Sequence, residues 1–312
     1  MFKKLVCDCS IDYKIEPADP ILIKSGRATV HGVDMSFVLT YRNGQWEPYI
    51  PGTSIKGVLR SHSERIAATL NDDFSCNPFV EQFCGKLFEK RKKEKLSNQA
   101  VYHDSCPICR IFGSTEFAGR LSPSDAYIEG EPVFERRDGV GIDRFTGGSA
   151  HRAKFDLEVL SRGTFTGNIM LRNFELGQLG LLAFLFRDLA EGYIRIGTGT
   201  SRGLGRIKGS VEEIRISYLT PSQVTLPQNE LIGVGELAGE DGYGFAKNDR
   251  VLLDLPEYED LGVRKKFVFK GEDIQRLWKA VAPKWNECIR AYKMPPAMKE
   301  AAAQEKPTGG EE

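Results

Sequence analysis

Near the N-terminus apolar and polar positions alternate. Leu5, Cys7, Cys9, Ile11, Tyr13 and Ile15 share one side, and Asp8, Ser10, Asp12 and Lys14 the other. A period of two predicts a half-buried strand with Cys7 and Cys9 on its core face as plain thiols. After Pro51-Gly52 the period changes. Ile55, Val58, Leu59, Ile66, Ala67 and Leu70 recur at helical spacing, and Thr53 or Ser54 is placed to cap the helix they define. Phe155–Leu160 and Phe165–Leu171 are strand-like runs on either side of Ser161-Arg162-Gly163-Thr164, which predicts a hairpin. Residues 175–192 read as a second, mostly buried helix stopped by Gly192, and residues 203–217 as a closing strand.

The order strand, helix, strand pair, helix, strand predicts an α+β fold with a βαββαβ ferredoxin-like core over residues 1–220. An irregular insertion at about 71–125, holding four cysteines and a basic run, interrupts it. Residues 221–295 read as an extension packed on the core, with an amphipathic helix carrying Ile274, Leu277, Trp278, Val281 and Trp285. Residues 296–312 have the composition of a disordered tail.

Composition narrows the setting. In 312 residues, 43 Lys and Arg balance 43 Asp and Glu, so no overall field draws the chain to nucleic acid and any such site must be a local patch. No apolar run approaches the roughly 18 residues of a membrane helix. The N-terminus has no signal-peptide pattern, so a cytoplasmic protein is expected. There the seven cysteines would be thiols or metal ligands rather than disulfides.

The clearest chemistry is Cys106-Pro107-Ile108-Cys109, a C-x2-C knuckle whose bite suits tetrahedral zinc. Cys76 and Cys84 precede the basic run and can return as the second pair, although their eight-residue separation is wider than the usual knuckle. His103 is the obvious substitute ligand. Four protein ligands make a closed, structural site. Its expected task is to pin a loop too poor in apolar residues to fold alone. The basic run, Lys86–Lys95, sets six cations against two acids and reads as a solvated helix face or a phosphate-facing patch.

Three further stretches suggest phosphate. In residues 194–209, five glycines alternate with hydroxyls and with Arg195, Arg202, Arg206 and Lys208. Glycines let a backbone approach a ligand closely. The loop lacks the Gly-Lys-Ser/Thr of a Walker A motif, and it follows a helix and leads into a strand, the reverse of a dinucleotide fingerprint. A glycine loop rimmed with arginine, able to hold a phosphodiester backbone, remains. In Tyr49–Arg60, Lys56 and Arg60 lie one turn apart at a helix start. A cation there runs against the helix dipole unless an anion joins it. Around Gly147-Gly148, Arg144, Arg152 and Lys154 suggest a projecting hairpin or loop.

Taken in order, YIPGTSIKGVLR, CPICRIFGS, GIDRFTGGSAHRAKFDLEVL and GTGTSRGLGRIKG resemble the RAMP superfamily (repeat-associated mysterious proteins), and more narrowly the backbone subunits of type III CRISPR effector complexes. The resemblance spans about residues 5–215; the stretch after 220 has no counterpart in it. It implies a modified ferredoxin-like, RRM-like palm, a zinc-bearing insertion and a thumb hairpin within 134–154. Such subunits stack into a filament along a guide crRNA, together with other effector subunits. The resemblance puts the guide phosphates against Thr53, Ser54, Lys56, Arg60, Arg144, Gly197, Gly199, Ser201, Arg202, Gly203 and Gly205. Base pairing then reads the target RNA, and the thumb wedges into the duplex and flips a nucleotide out. Asp34 stands where the family's RNA-cutting acid belongs, with Mg2+ or Mn2+ supplying charge at the phosphate. His31 could aid proton transfer.

Three other readings stay open on sequence alone. In one, the subunit only binds and shapes RNA, with Asp34 inert. In another, the chain is a standalone guide-processing endoribonuclease using His31 and Tyr41 without metal. The third is a zinc-stabilised RNA-binding module unrelated to CRISPR.

Overall fold

The computed structural model describes residues 4–26, 33–77, 84–219, 226–237 and 248–303. His31 lies outside them.

The alternating N-terminal segment is strand β1 (Cys7–Pro17). Cys7, Cys9, Ile11, Tyr13 and Ile15 are buried on one face, as expected, but Asp8 and Ser10 are buried too. The reason is position: β1 has strands on both sides. Asp8 accepts a hydrogen bond from Arg264 Nη1 at 2.8 Å. A hairpin, β2 (Leu39–Arg42) and β3 (Gln45–Ile50), leads into helix α1 (Gly52–Leu70). The helix starts earlier than its hydroxyls suggest. Pro51 occupies the N-cap without a side-chain bond, and Asp125 Oδ1 accepts the Gly52 N–H at 2.7 Å. A partner more than seventy residues away does the capping that Thr53 or Ser54 was expected to do.

The insertion is less irregular than its composition implies. Among its described residues are three short α-helices, α2 (Cys84–Lys90), α3 (Asn98–Asp104) and α4 (Pro107–Phe112). Nor is it poor in core residues: Phe74, Leu87, Phe88, Tyr102, Ile108, Ile111 and Phe112 are all buried. Scattered singly among polar residues, they leave no periodic signature. Strand β4 (Leu121–Pro123) already belongs to the main sheet.

Strands β5 (Ala126–Ile142) and β6 (Ser149–Arg172) form one long antiparallel hairpin. The turn expected at Ser161–Thr164 does not form, and β6 runs through it. Its C-terminal part pairs with β1 and its N-terminal part with β5, so both stretches flanking Gly163 already have partners. The local turn preference survives only as register shifts, with extra residues on β5 between Glu129 and Val133 and one extra residue on β6 at Ser161, between Arg162 and Leu160.

Helix α5 (Leu176–Glu191) follows, ended by Gly192 in the left-handed conformation, and then β7 (Ile207–Leu219). The sheet order β7-β1-β6-β5, every pair antiparallel, is the ferredoxin-like order built from β1, α1, β5, β6, α5 and β7. Strand β3 extends this palm at one edge.

Beyond residue 226 come β8 (Glu230–Ile232), α6 (Val234–Leu237), β9 (Arg250–Leu252), β10 (Glu259–Asp260) and β11 (Arg264–Phe269), with β11 pairing with β7. Helix α7 (Glu272–Ala291) buries Ile274, Leu277, Trp278, Val281 and Trp285, and Trp278 stacks on Phe186 of α5 at 6.2 Å. The expected tail begins as helix α8 (Pro296–Ala303), with Met298 buried; residues 304–312 lie outside the described residues.

Candidate metal centre and nucleic-acid interface

The four insertion cysteines come together from three elements. Cys84 opens α2, Cys106 caps α4, Cys109 sits in its first turn, and Cys76 arrives from the segment after α1. Their sulfurs all lie within 4.8 Å of one another, and all four side chains are buried. A tetrahedral Zn2+ with bonds near 2.3 Å needs sulfurs about 3.8 Å apart; Cys76 and Cys109 Sγ are 3.6 Å apart. Polar groups point at the sulfurs: Cys106 N–H to Cys84 Sγ at 3.3 Å, Cys109 N–H to Cys106 Sγ at 3.4 Å, and Arg60 Nη2 to Cys109 Sγ at 3.3 Å. Hydrogen bonds from Cys109, then Cys76 and Cys84, hold the Cys106 thiol low, whereas bonding to Cys106 pushes Cys84 and Cys109 up. Zinc binds thiolates, so a divalent cation held here would release the thiol protons. The donor set therefore fits a structural zinc. His103 is not part of it: the ring is exposed and its Nδ1 lies 3.2 Å from Asp104 Oδ1.

Arg60, expected on the phosphate face, spends its guanidinium inside. It bonds Glu64 at 2.8 Å, the Gly113 carbonyl at 2.9 Å and Cys109. Lys56, one turn earlier, is half-buried, with its pKa lowered by burial and then by Arg60. Thr53 is exposed and Ser54 half-buried at the start of the same helix.

The glycine-rich loop is moored to residues 20–22. Thr198 N–H donates to the Leu22 carbonyl at 2.8 Å and Gly205 N–H to the Pro20 carbonyl at 2.9 Å. Two of its arginines, though exposed, brace the protein. Arg195 Nη1 donates to the Thr200 and Leu204 carbonyls at 2.9 and 3.3 Å, and Arg206 Nη2 to Asp19 at 3.0 Å. Ser201, Arg202 and Gly203 stand exposed at the crest, while Gly197 and Gly199 lie at its approach and Gly205 is buried. The Arg202 guanidinium sits 5.5 Å from the Phe155 ring, at the base of the β5–β6 hairpin.

Asp34 reaches the same place. Its exposed carboxylate accepts the Asp156 N–H at 2.9 Å. The segment after it is laced along β6: Met35 N–H to the Asp156 carbonyl at 3.1 Å, Glu158 N–H to the Met35 carbonyl at 3.0 Å, and Phe37 N–H to Glu158 Oε2 at 3.2 Å. Arg136 pairs with Asp156, whose carboxyl it holds below the usual range, and feels the charge of Asp34. Among the described residues, only the four cysteines gather three or more close metal-ligating groups.

At the hairpin tip, Asp143 Oδ1 accepts the N–H groups of Phe145 and Thr146 at 2.9 and 2.8 Å, which fixes the turn. These bonds, Thr146 first, lower the Asp143 pKa. Arg144 and Phe145 project from the turn, Phe145 with 99% of its surface exposed. Sequence reasoning noted Arg144 and passed over Phe145. The available signal was an aromatic between an Asx-turn residue and Gly147-Gly148.

The strand order and inserted four-cysteine centre define a ferredoxin-like α+β protein with a long projecting hairpin. A family model for the RAMP superfamily matches residues 14–208, more than half of the chain, and the chain belongs to that superfamily. Membership implies a CRISPR-associated, RNA-binding protein. No curated protein matches the sequence. No described helix is long and apolar enough to cross a membrane.

Proposed function

We propose that the chain is a guide-crRNA-binding backbone subunit of a type III CRISPR effector complex, and that it also cleaves the complementary target RNA at regular intervals. The observation that carries this reading is a convergence. Asp34 from one loop and Arg202 from the glycine loop meet the base of one hairpin, at Asp156 and Phe155. The glycine crest, with Ser201, Arg202 and Gly203, would hold guide phosphates without reading bases. The hairpin would act as the thumb, and Phe145 as the side chain that stacks against an unpaired or splayed base. A nucleotide turned out beside the thumb frees its ribose 2′-hydroxyl. Asp34 would accept a hydrogen bond from that hydroxyl as its oxygen attacks the adjacent phosphorus. The 2′-proton passes to solvent water as the bond from phosphorus to the 5′-oxygen breaks, and that oxygen takes a proton from water, giving a 2′,3′-cyclic phosphate and a 5′-hydroxyl. A divalent cation, Mg2+ or Mn2+, would supply charge at that phosphate.

In this arrangement the cysteine centre is structural and holds Zn2+. Partners are the guide, the target RNA, other effector subunits and further copies of the chain. The experiment is cleavage of complementary RNA by the complex assembled with Asp34→Ala. Assembly and guide retention should persist while cutting at this subunit's positions falls about 10²–10⁴-fold. Unchanged cuts at every position would sink the slicer assignment and leave a purely binding role.

A further inference from the structure

Among the described residues, three of the four metal-site sulfurs receive an N–H and the fourth does not. The Cys106 and Cys109 amides donate to Cys84 and Cys106 Sγ, and the Arg60 guanidinium donates to Cys109 Sγ. No described nitrogen or oxygen donor reaches Cys76 Sγ, whose polar contact is Cys109 Sγ at 3.6 Å. The same residue is the most open of the four. Cys76 keeps 8% of its surface exposed, against 2% for Cys84, 4% for Cys106 and 1% for Cys109. A cleft of about 580 Å³ lies beside α1 and the turn after α4, and both Cys76 and Cys109 line it. Arg60 guards one of these two sulfurs. It is held on three sides, by Glu64 at 2.8 Å, the Gly113 carbonyl at 2.9 Å and Cys109 Sγ at 3.3 Å, which keeps its guanidinium on Cys109. A donor on a thiolate draws off the electron density with which that sulfur would attack an electrophile. Cys76 keeps that density.

We propose that Cys76 is a covalent modification site, the one ligand of the metal centre that reacts with small soft electrophiles, and that Arg60 directs the reaction there by shielding Cys109. It rests on the reading of the four cysteines as a zinc site, in which their sulfurs are thiolates. With iodoacetamide as the electrophile, Cys76 Sγ attacks the methylene carbon. The sulfur–carbon bond forms as the carbon–iodine bond breaks, and iodide leaves with the bonding electrons. No proton moves, because the attacking sulfur is already a thiolate. The product is a neutral thioether, so four anionic donors become three and the hold on the metal weakens. The centre is then a staple with one releasable leg. Cys76 ties the segment after α1 to Cys84 on α2 and to Cys106 and Cys109 on α4, and alkylation unties that segment first.

The test is alkylation of the zinc-loaded full chain over a series of iodoacetamide concentrations, mapped at early times by peptide mass spectrometry while a chromogenic chelator reports released metal. Among the four ligands, Cys76 should be modified about 10-fold faster than Cys84, Cys106 or Cys109, the worth of one hydrogen bond to a charged sulfur. Its rate should rise in proportion to iodoacetamide, and zinc release should follow it. Arg60→Met, with zinc content and melting temperature checked first, should bring Cys109 up towards the rate of Cys76 and leave Cys84 and Cys106 slow. If Cys84, Cys106 or Cys109 reacts as fast as Cys76 in the unsubstituted chain, the assignment is overturned. It is overturned equally if zinc leaves at a rate independent of iodoacetamide and all four thiols then react together. A folded, zinc-loaded Arg60→Met chain in which Cys109 stays slow would remove Arg60 from the account. An unsubstituted chain that holds no zinc would remove the metal reading and this inference together.

Discussion

Two glycines in the loop after α5 adopt nearly the same backbone angle for different reasons, and substitution should separate them. Gly197 has φ +82° and Gly203 φ +79°. Either one replaced by alanine is held in the left-handed region at a cost of about 1–2 kcal/mol. A Cβ at Gly203 meets nothing within 4 Å, so the cost ends there. A Cβ at Gly197 would stand 2.2 Å from the Leu22 carbonyl oxygen, the acceptor that moors Thr198 N–H at 2.8 Å. Displacing that oxygen adds about 1–3 kcal/mol for a disrupted backbone bond. At about 2 °C per kcal/mol for a chain of this size, Gly203→Ala should lower Tm by about 2–4 °C and Gly197→Ala by about 4–10 °C. RNA affinity, measured well below both transitions, should fall more for Gly203→Ala, because its new methyl group points into the space a ligand backbone would enter. Equal losses of Tm, or a Gly203→Ala chain that binds RNA like the unsubstituted one, would refute the reasoning.

Other expectations are as direct. Asp249, buried between α5 and α6, accepts the Leu176 and Gly235 N–H groups at 2.9 and 3.0 Å, and burial, then Glu175, pushes its pKa from 3.8 up to about 7. Its folded pKa exceeds the unfolded one, so stability should decline as pH rises from about 4 to about 7, by at most about 4 kcal/mol, and then level off. Asp249→Asn should flatten that slope in urea titrations; an unchanged slope would count against the assignment. Metal analysis should find about one zinc per chain. Extracting it should expose the Cys84–Phe112 segment to proteolysis while β1 and β6 amides stay protected, and uniform loss of protection would contradict a local role. Phe145→Ala should leave stability within about 0.5 kcal/mol yet weaken duplex or single-strand binding by the 1–3 kcal/mol, roughly, of one stacked base. Unaltered binding would remove Phe145 from the interface.

What the sequence discloses follows the range of the interactions involved. Helix α5, its Gly192 stop and the buried stripe of α7 were legible because side chains three and four residues apart decide them. The C-x2-C pair was legible because a knuckle is local, and its closure by Cys76 and Cys84 followed from ligand count. Long-range partners were not legible. Asp125 capping α1 depends on a residue from the far side of the insertion. The buried Arg120, which bonds the Asn173 carbonyl at 2.6 Å and lies 4.5 Å from the Tyr102 ring centre, likewise joins three distant segments. The rim of arginines on the glycine loop looked uniform in one dimension; folding commits Arg195 and Arg206 to carbonyls and to Asp19 and leaves Arg202 at the crest. Ser161–Thr164 has turn chemistry, but strand partners on both sides outweigh a local preference.

That uninterrupted β6 has a mechanical consequence. At about 3.3 Å per residue its 24 residues form a beam roughly 80 Å long, clamped at one end beside β1 and free at the tip next to Phe145. A strand paired along its length resists swinging. A load on the tip is carried to Leu171 and Cys9 in the middle of the sheet, and the slack lies at the register shifts, between Glu129 and Val133 on β5 and at Ser161 on β6. Whatever the tip touches is held at a fixed offset from the molecule's centre. In a row of identical copies, that offset would repeat as a constant interval set by protein geometry alone.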